Sequence, residues 1–277
     1  MKRTLPYTIA LLGLLGVACE QVVEIAAPES DAQLVVEGWV YDDRDTQTVT
    51  LHRSAPYFAP ASFPAEPGAR VVITTQAEDT LTLVEAEAGV YQASFRGQVD
   101  QQYTLMVETR DGQRYVSAPQ RLRPVAPLDS VYAVYRDTAE VIQAGYYPAW
   151  NYTDPEGRAD YYRWKFYVND TLRSRAADIL VLSDAFLDGE TITEAEFVDT
   201  TPLSLNDTLT IEQLSISREA LNFFRQVQRL ARNGEELLGT SSDPVPTNMM
   251  NTTHEQHYAL GFFGASSVAR ASAVVSK

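Results

Sequence analysis

The chain has 277 residues, with 37 acidic and 22 basic side chains and a net charge of −15. This excess of negative charge excludes nucleic acid as a partner, because binding a polyphosphate requires clustered cations. Hydrophobic residues make up 45% of the chain and 15 residues are tyrosine, which is typical of a packed fold and not of a disordered chain. The length predicts two domains.

The N-terminal residues predict an export signal of the lipoprotein type. Lys2 and Arg3 precede an apolar segment, 5–17, that is too short to cross a bilayer, and small residues lead up to Cys19. Cys19 is the only cysteine in the chain, so it cannot close a disulfide within it, and we predict that its thiol carries lipid. The alternative is an ordinary signal peptide that leaves a free cysteine. The predicted segments are a signal peptide, 1–18, and a lipidated tether, 19–33.

The next ninety residues or so predict a β-sandwich of immunoglobulin-like or transthyretin-like type over 34–123. Alternating β-branched and aromatic residues, separated by turn signals such as Asp111-Gly112, indicate short strands. The predicted strands are 34–40, 46–54, 70–75, 80–85, 90–95, 103–109 and 114–122.

An insert at 56–64 sets aromatic residues among prolines. Its stiffness and its apolar side chains predict a contact loop that presents Tyr57, Phe58 and Phe63 to a partner. The alternative is that these aromatic residues cover an edge of the sandwich.

Two prolines in 124–128 predict a linker, and we place the domain boundary there. The second domain, 129–277, is expected to be a β-rich sandwich that carries one helix. Its predicted strands are 130–136, 147–152, 161–168 and 208–217, with a tight turn at 154–157 and a long acidic loop with short strands at 180–198.

The strand at 161–168 alternates large aromatic residues with basic ones. Side chains of a strand point alternately to its two faces, so Trp164 and Phe166 are expected inward and Arg163 and Lys165 outward.

One helix is predicted over 217–233. Ser217 is a suitable N-cap, the apolar positions follow a 3.6-residue period, and Gly234 can adopt a left-handed exit. We interpret 239–253 as a loop and 258–275 as a final hairpin that turns at Gly264.

The chain offers few residues for catalysis or metal binding. It has three histidines, and neither a zinc-protease pattern nor a nucleophile elbow accompanies them. His254 and His257 form a weak candidate for a soft metal, but a solvated loop fits them better. We therefore predict no enzyme activity, no cofactor, no catalytic residue and no metal site. A pair of acids acting as a glycosidase cannot be located among 37 acidic residues.

The acidic run Asp42, Asp43 and Asp45 lacks the spaced ligands and the closing glutamate of a calcium loop. We interpret it as a solvated hairpin turn.

Several segments together resemble a known family. They are Cys19, then Leu-Val-Val-Glu-Gly-Trp at 34–39, Ser-Ala-Pro-Tyr-Phe at 54–58, Gly-Val-Tyr at 89–91, Tyr-Tyr-Arg-Trp at 161–164 and Leu-Gly-Phe-Phe-Gly-Ala-Ser-Ser-Val at 260–268. This order resembles the Bacteroidota lipoproteins of the domain of unknown function 4249 family. The resemblance implies an outer-membrane lipoprotein, commonly encoded beside TonB-dependent transporters and without an established activity. Only the lipid attachment at Cys19 carries over.

Aspartate followed by Ser or Thr and an apolar residue recurs in the chain and resembles the O-glycosylation sites of exported Bacteroidota proteins. The alternative is local structure, because Asp ends turns and Thr begins strands. The candidate sites are Thr80, Ser130, Thr138, Thr171 and Thr208.

These features lead to one expected function and two alternatives. We expect an accessory or ligand-binding protein, held at the outer membrane by acyl chains on Cys19, that works with a TonB-dependent barrel in nutrient uptake. The first alternative is a structural or protein-binding adaptor of the cell envelope. The second is a hydrolase.

Overall fold

A computed structural model describes residues 32–54, 63–139, 142–235, 245–254 and 257–277 of the chain. The predicted signal peptide, the lipid-bearing Cys19 and the aromatic residues Tyr57 and Phe58 lie outside the described residues. Within the described part, no helix is both long enough and apolar enough to cross a bilayer.

The described residues form a mainly β fold with a single α-helix, as predicted. The N-terminal strands are β1 (Leu34–Tyr41), β2 (Thr46–Arg53), β3 (Arg70–Thr75), β4 (Thr80–Glu87), β5 (Val90–Ser94), β6 (Gln102–Glu108), β7 (Arg114–Ser117) and β8 (Gln120–Arg121). The following strands are β9 (Leu128–Arg136), β10 (Gly145–Thr153), β11 (Tyr161–Val168), β12 (Thr171–Leu172), β13 (Leu180–Ser183), β14 (Thr191–Glu196) and β15 (Thr208–Ser215). The helix α1 (Arg218–Glu235) precedes β16 (Met249–Asn251), β17 (Leu260–Ser266) and β18 (Val268–Val274), and a 3₁₀ turn lies at Ala176–Asp178.

The largest sheet contains all the N-terminal strands and two strands from the far end of the chain. Its order is β16-β7-β6-β3-β4-β5-β2-β1-β17, with β8 paired to β6. Every second side chain points to one shared core, as Val71 and Ile73 do on β3, because strand side chains alternate between faces. The strands predicted in 34–123 are therefore present. They form one continuous sheet, which β16 and β17 from the predicted second domain extend.

Asn248 brings the two end strands of this sheet together. Its Nδ2 donates to the Phe263 carbonyl at 2.7 Å, and its Oδ1 accepts from the Phe263 amide at 3.0 Å. Asn248 precedes β16 and Phe263 lies in β17. The side chain thus satisfies backbone groups at an edge that would otherwise be open, and the sheet is nearly closed into a barrel.

Two smaller sheets enclose a second core. One has the order β14-β10-β9, and the other has the order β12-β11-β15-β18 with β13 paired to β11. The core is aromatic: the Trp150 ring lies 5.4 Å from the Trp164 ring and 5.7 Å from the Phe166 ring, measured between centroids. The predicted inward face of β11 is therefore confirmed.

The predicted linker 124–128 is packed and not extended into solvent. Ala126 is fully buried, and its carbonyl accepts a hydrogen bond from Gln213 Nε2 at 2.9 Å. The strand β9 begins at Leu128, within the predicted linker.

The helix α1 packs between the two groups of strands. Ser217 Oγ accepts from the Ala220 amide at 3.2 Å, so the predicted N-cap is confirmed. Ala220 and Phe224 are buried in a third cluster that also contains Trp39. The predicted end is wrong, because the helix passes through Gly234 and reaches Glu235.

The prediction of a hairpin at 258–275 is also wrong. β17 pairs in parallel with β1, whereas β18 pairs with β15. Gly264 lies inside β17 opposite Trp39, and a Cβ at this position would lie 2.3 Å from the Trp39 ring. The glycine is needed for this close packing and not for a turn. The predicted loop 239–253 likewise includes a strand, β16.

The acidic turn after β1 is more than a solvated hairpin turn. Asp42 accepts hydrogen bonds from the Ser267 hydroxyl and, at 3.0 Å, from the Val268 amide. Asp43 pairs with Arg44 at 2.7 Å. The turn therefore joins the N-terminal sheet to the start of β18.

Candidate functional site

An open groove of about 280 Å³ runs over the outer face of β1 and β2. Alternate residues of β1 fill the first core, and the others face this groove and the second group of strands. Its lining combines hydroxyl, aromatic and charged side chains: Glu37, Gly38, Trp39, Tyr41, Arg44, Thr46, Thr48 and Thr50.

Two cations of β11 stand beside the groove. Lys165 Nζ donates to the Tyr41 hydroxyl at 3.1 Å. The Arg163 guanidinium lies over the Phe224 ring at 4.0 Å, and Phe224 stacks on Trp39. The basic face predicted for β11 is therefore present, but it faces β1 and α1 and not bulk solvent.

One buried carboxylate, that of Glu212, pairs with two nearby arginines. Glu212 is fully buried and contacts Arg44 at 3.4 Å, Arg270 at 2.9 Å and the Tyr167 hydroxyl at 3.0 Å. Arg163 has no hydrogen bond and no ion pair among the described residues, and its Nε is shielded from water. Two cations beside the groove, Arg163 and Lys165, thus lack an acidic partner in direct contact.

Burial shifts the pKa values of the ionisable groups beside the groove. Burial and the charge of Arg163 together lower the pKa of Lys165 to about 8, and Glu212 opposes the shift. Burial also lowers the pKa of Arg163 and raises the pKa of Tyr41 to about 12. Each shift has burial as its largest cause, and burial disfavours the charged form.

A bound anion would supply a counter-charge to Arg163 and Lys165. Guanidinium and ammonium groups donate strong, charge-assisted hydrogen bonds to carboxylate or phosphate oxygens. The threonine hydroxyls of β2 offer further donors and acceptors. A small, polar and negatively charged solute could therefore pair with these two cations, which stand beside the groove.

A second cluster contains residues that could hold a metal ion. The carboxylates of Asp154, Asp160 and Asp184 are buried, and one oxygen from each lies within 4.8 Å of the others. In the part of the chain that the structure describes, no other group of three or more acids, histidines or cysteines is close enough to share an ion. Burial raises the pKa of Asp154, and a hydrogen bond from Tyr162 opposes that rise.

The two described histidines of the predicted loop lie close together. The ring centroids of His254 and His257 are 5.8 Å apart. No third metal-binding side chain joins them among the described residues.

The predicted contact loop can be described only at its end, where Phe63 is 62% exposed. The most exposed large apolar side chain of the described residues is a different one, Phe186, at 96%. It lies on the turn after β13, in the segment that the sequence indicated only as an acidic loop.

The candidate O-glycosylation residues lie at or near strand ends, as the local alternative also expects. Thr80, Thr138 and Thr171 are exposed, whereas Ser130 and Thr208 are half-buried. Thr208 also donates its amide to Asn169 Oδ1 at 2.9 Å.

The sequence pattern pointed to part of the groove and to none of the aspartate cluster. Alternation on β11 identified Arg163 and Lys165, but nothing local indicated that β1 would face them. Asp154, Asp160 and Asp184 are separated in sequence and carry no ligand spacing. Asp154 begins the predicted turn and Asp160 precedes the predicted strand 161–168, whereas Asp184 lies inside the predicted acidic loop.

Comparison with known proteins gives one family and two weak structural likenesses. No curated protein sequence matches the chain. A DUF4785 family protein from Legionella pneumophila is similar over 66% of this chain and 52% of its own, with 11% identity and a TM-score of 0.24. A two fibronectin type-III domain segment from chicken tenascin is similar over 66% of this chain and 89% of its own, with 16% identity and a TM-score of 0.19.

The chain thus spans about half the length of the Legionella protein, 52%. At these TM-scores neither likeness carries an argument about fold or function. The family model described as a domain of unknown function, DUF4249, matches residues 20–272, and the chain therefore belongs to the DUF4249 family.

Proposed function

We propose that this protein is a lipid-anchored binding protein of the outer membrane that holds a small anionic solute in the groove beside β1. The observation that carries the proposal is that Arg163 and Lys165 lack an acidic partner within contact distance, although the chain has 37 acidic and only 22 basic residues. Unpaired cations with little access to water are costly to keep in a folded protein. A ligand that pairs with them offsets this cost.

The attachment to the membrane rests on the N-terminal sequence. Acyl chains on Cys19 contribute about 0.8 kcal/mol per buried methylene, so two or more chains hold a protein stably at a bilayer. The acidic charge of the remaining chain would repel anionic headgroups, which leaves lipidation as the means of attachment.

We further propose that the solute is passed to, or held near, a TonB-dependent barrel. Support comes from the resemblance that the sequence carries and from the position of the groove on one face of two packed groups of strands. None of the three histidines lines the groove, so the proposal is binding without catalysis.

Extraction of the tagged full-length protein from its native membrane in mild detergent tests this function. Mass spectrometry of the extract is expected to find a barrel in stoichiometric amount and an anionic small molecule. The double substitution Arg163→Met and Lys165→Met should lose the small molecule and keep the barrel. Arg121→Met with Arg70→Met, two exposed arginines of the N-terminal sheet, is the matched control and should lose neither.

A variant at the cysteine tests the anchor separately. Cys19→Ala should release the protein from the membrane with the same far-UV circular dichroism. Continued fractionation of this variant with the outer membrane would contradict lipid anchoring.

A second candidate function is an adaptor that binds another envelope protein. Phe186 favours it, because a phenylalanine that is 96% exposed on a turn is a typical protein contact. Phe186→Ser should then remove a protein partner from the extract, whereas the solute-binding proposal predicts no change in the bound small molecule.

Two finer assignments are also proposals. We propose that the ten-stranded sheet is a variant of the immunoglobulin-like or transthyretin-like sandwich, since β1–β8 surround one shared core. We also propose that exposed Thr80, Thr138 and Thr171 are the O-glycosylation residues, which intact-mass measurement of the native protein tests.

A further inference from the structure

Three buried aspartates meet where strands of the two smaller sheets end. Asp154 directly follows β10, Asp160 directly precedes β11 and Asp184 directly follows β13. They are 1%, 3% and 5% exposed, respectively. One carboxylate oxygen of each lies within 4.8 Å of the other two.

Hydrogen bonds hold two of these segments in fixed positions. The Asp160 amide donates to Asp184 Oδ2 at 2.6 Å, and the Asp184 amide donates to the Asp160 carbonyl at 3.1 Å. The Tyr162 hydroxyl donates to Asp154 Oδ1 at 2.5 Å. The three carboxylates are therefore placed by the backbone and by a buried tyrosine, and not by flexible surface side chains.

The charges of the cluster do not balance. Arg158 donates from Nε to both oxygens of Asp160, at 2.8 and 2.9 Å, and so neutralises one carboxylate. Two negative charges remain on Asp154 and Asp184. Asp154 Oδ2 has no hydrogen-bond partner among the described residues, although the side chain is almost completely buried. A buried carboxylate oxygen without a partner requires an explanation, because leaving it unpaired costs about 1–3 kcal/mol.

We propose that Asp154, Asp160 and Asp184 bind a Ca²⁺ ion. The donors are all hard oxygen atoms, which select Ca²⁺ or Mg²⁺ over softer metals. Three carboxylate oxygens within 4.8 Å of one another can share one ion. Mg²⁺ usually keeps several waters, whereas Ca²⁺ accepts protein oxygens directly, so a buried cluster of three aspartates favours Ca²⁺. Its double charge also equals the charge that Arg158 leaves uncompensated.

The ion would join two turns that are already in contact. The Asp154 amide donates to the Glu190 carbonyl at 2.9 Å, and the Gly157 amide donates to Asp188 Oδ1 at 2.7 Å. Binding at Asp154 and Asp184 would therefore fix the turn 184–190, which carries Phe186. This site is separate from the groove, so it stands or falls independently of the proposed function.

Calorimetric titration of the purified, EDTA-treated full-length protein with CaCl₂ tests the proposal. We expect one ion per chain with a Kd on the order of 10⁻⁵ to 10⁻⁴ M, and weaker binding of Mg²⁺. Asp154→Asn should weaken Ca²⁺ binding at least roughly tenfold, on the scale seen when a metal site loses a supporting group. The control is Asp188→Asn, an exposed acid of the same turn, which should retain wild-type affinity.

A luminescence measurement on the unmodified protein keeps the test independent of variant folding. Tb³⁺ in the Ca²⁺ site should emit when Tyr162 is excited, and CaCl₂ should remove that emission. No saturable Ca²⁺ binding, no sensitised emission, or equal effects of Asp154→Asn and Asp188→Asn would overturn the proposal. Tight binding of Mg²⁺ with none of Ca²⁺ would overturn the choice of ion.

Discussion

Lys165 Nζ lies 3.1 Å from the Tyr41 hydroxyl, and this hydrogen bond joins the outer face of β11 to the outer face of β1. The ammonium group has no other hydrogen-bond partner among the described residues. Its own sheet contributes Arg163 as a neighbour, which repels it. The contact therefore places a cation without an ion-pair partner beside Tyr41, at the edge of the groove. The proposed binding of an anion depends on this cation.

The affinity for an anion should fall as Lys165 loses its proton. Burial and Arg163 lower the pKa of Lys165 to about 8, so the charge is lost between about pH 7 and 9 in the unliganded protein. We expect the affinity for sulfate, which keeps its charge across that range, to fall, and Lys165→Met to abolish the fall. The titratable and charged groups that face Lys165 are Tyr41, Arg163, Glu212, Arg44 and Glu37.

The same group predicts a rise in stability with pH in the absence of ligand. The unfolded chain keeps the Lys165 proton up to about pH 10.5, whereas the folded chain loses it near pH 8. Over this interval the unfolded state binds more protons, so the free energy of unfolding increases with pH. Urea unfolding at pH values from 8 to 9.5 measures this increase in the free energy of unfolding. Tyrosines titrate above this range. The difference between wild type and Lys165→Met isolates this lysine, and a steeper rise in the variant would contradict the assignment.

Neutral substitution should destabilise the protein much more at Glu212 than at Arg163. Glu212→Gln removes the carboxylate that pairs with Arg44 and Arg270, and we expect a loss of about 2 kcal/mol in the free energy of unfolding. Arg163→Met removes the cation–π contact with Phe224 but no ion pair, so its effect should stay within about 1 kcal/mol. Equal losses in the two variants on urea unfolding would show that Arg163 has a partner after all.

Gly264→Ala should destabilise the protein strongly. The new Cβ would lie 2.3 Å from the Trp39 ring, at the parallel pairing of β17 with β1, and Trp39 is held by Tyr41, Phe224 and Phe262. Overpacking of this kind costs about 1–3 kcal/mol or more.

The matched control for this substitution is Gly112→Ala. No atom lies within 4 Å of a Cβ at Gly112, so only its φ of +81° penalises alanine. We expect Gly112→Ala to lower the free energy of unfolding by about 1 kcal/mol, as measured by thermal unfolding. A smaller loss for Gly264→Ala than for Gly112→Ala would contradict the packing of β17 against Trp39.

Ca²⁺ should protect the turn around Phe186 from proteolysis. Phe186 is 96% exposed, so chymotrypsin can reach it, and an ion at Asp184 would restrain the local opening that cleavage needs. Cleavage after Phe186 should slow several-fold in CaCl₂ relative to EDTA. Phe63, which is 62% exposed in the other group of strands, is the internal control, and equal slowing at both sites would point to an effect on the protease.

Local pattern predicted the strands well, because alternation and turn residues are local signals. β3 and β11 occupy the predicted ranges, and Ser217 caps the helix as expected. Pairing between distant segments was not predictable in this way. Gly264 was interpreted as a turn because glycine commonly ends strands, whereas its role is to admit the Trp39 ring from a strand more than two hundred residues earlier.

The groove and the aspartate cluster were likewise predictable only as far as local sequence pattern reaches. Alternation placed Arg163 and Lys165 on one face of β11, but only the docking of β1 against that face makes a groove. The sequence around Asp42 predicts a solvated turn, whereas in the fold Asp42 accepts a hydrogen bond from the Val268 amide. The aspartates 154, 160 and 184 are unremarkable in sequence, because their significance comes from burial and from the one oxygen left without a partner.

The most direct test of the central claim is titration of the full-length protein with inorganic phosphate at pH 7, followed by ¹⁵N-resolved NMR of backbone amides. Anion binding in the groove predicts saturable shifts confined to β1, β2 and β11, with a Kd in the millimolar range for so small an anion, and their loss in Arg163→Met with Lys165→Met. Glucose, which is neutral, should cause no such shifts. Shifts that do not saturate, or that persist in the double variant, would contradict an anion-binding groove.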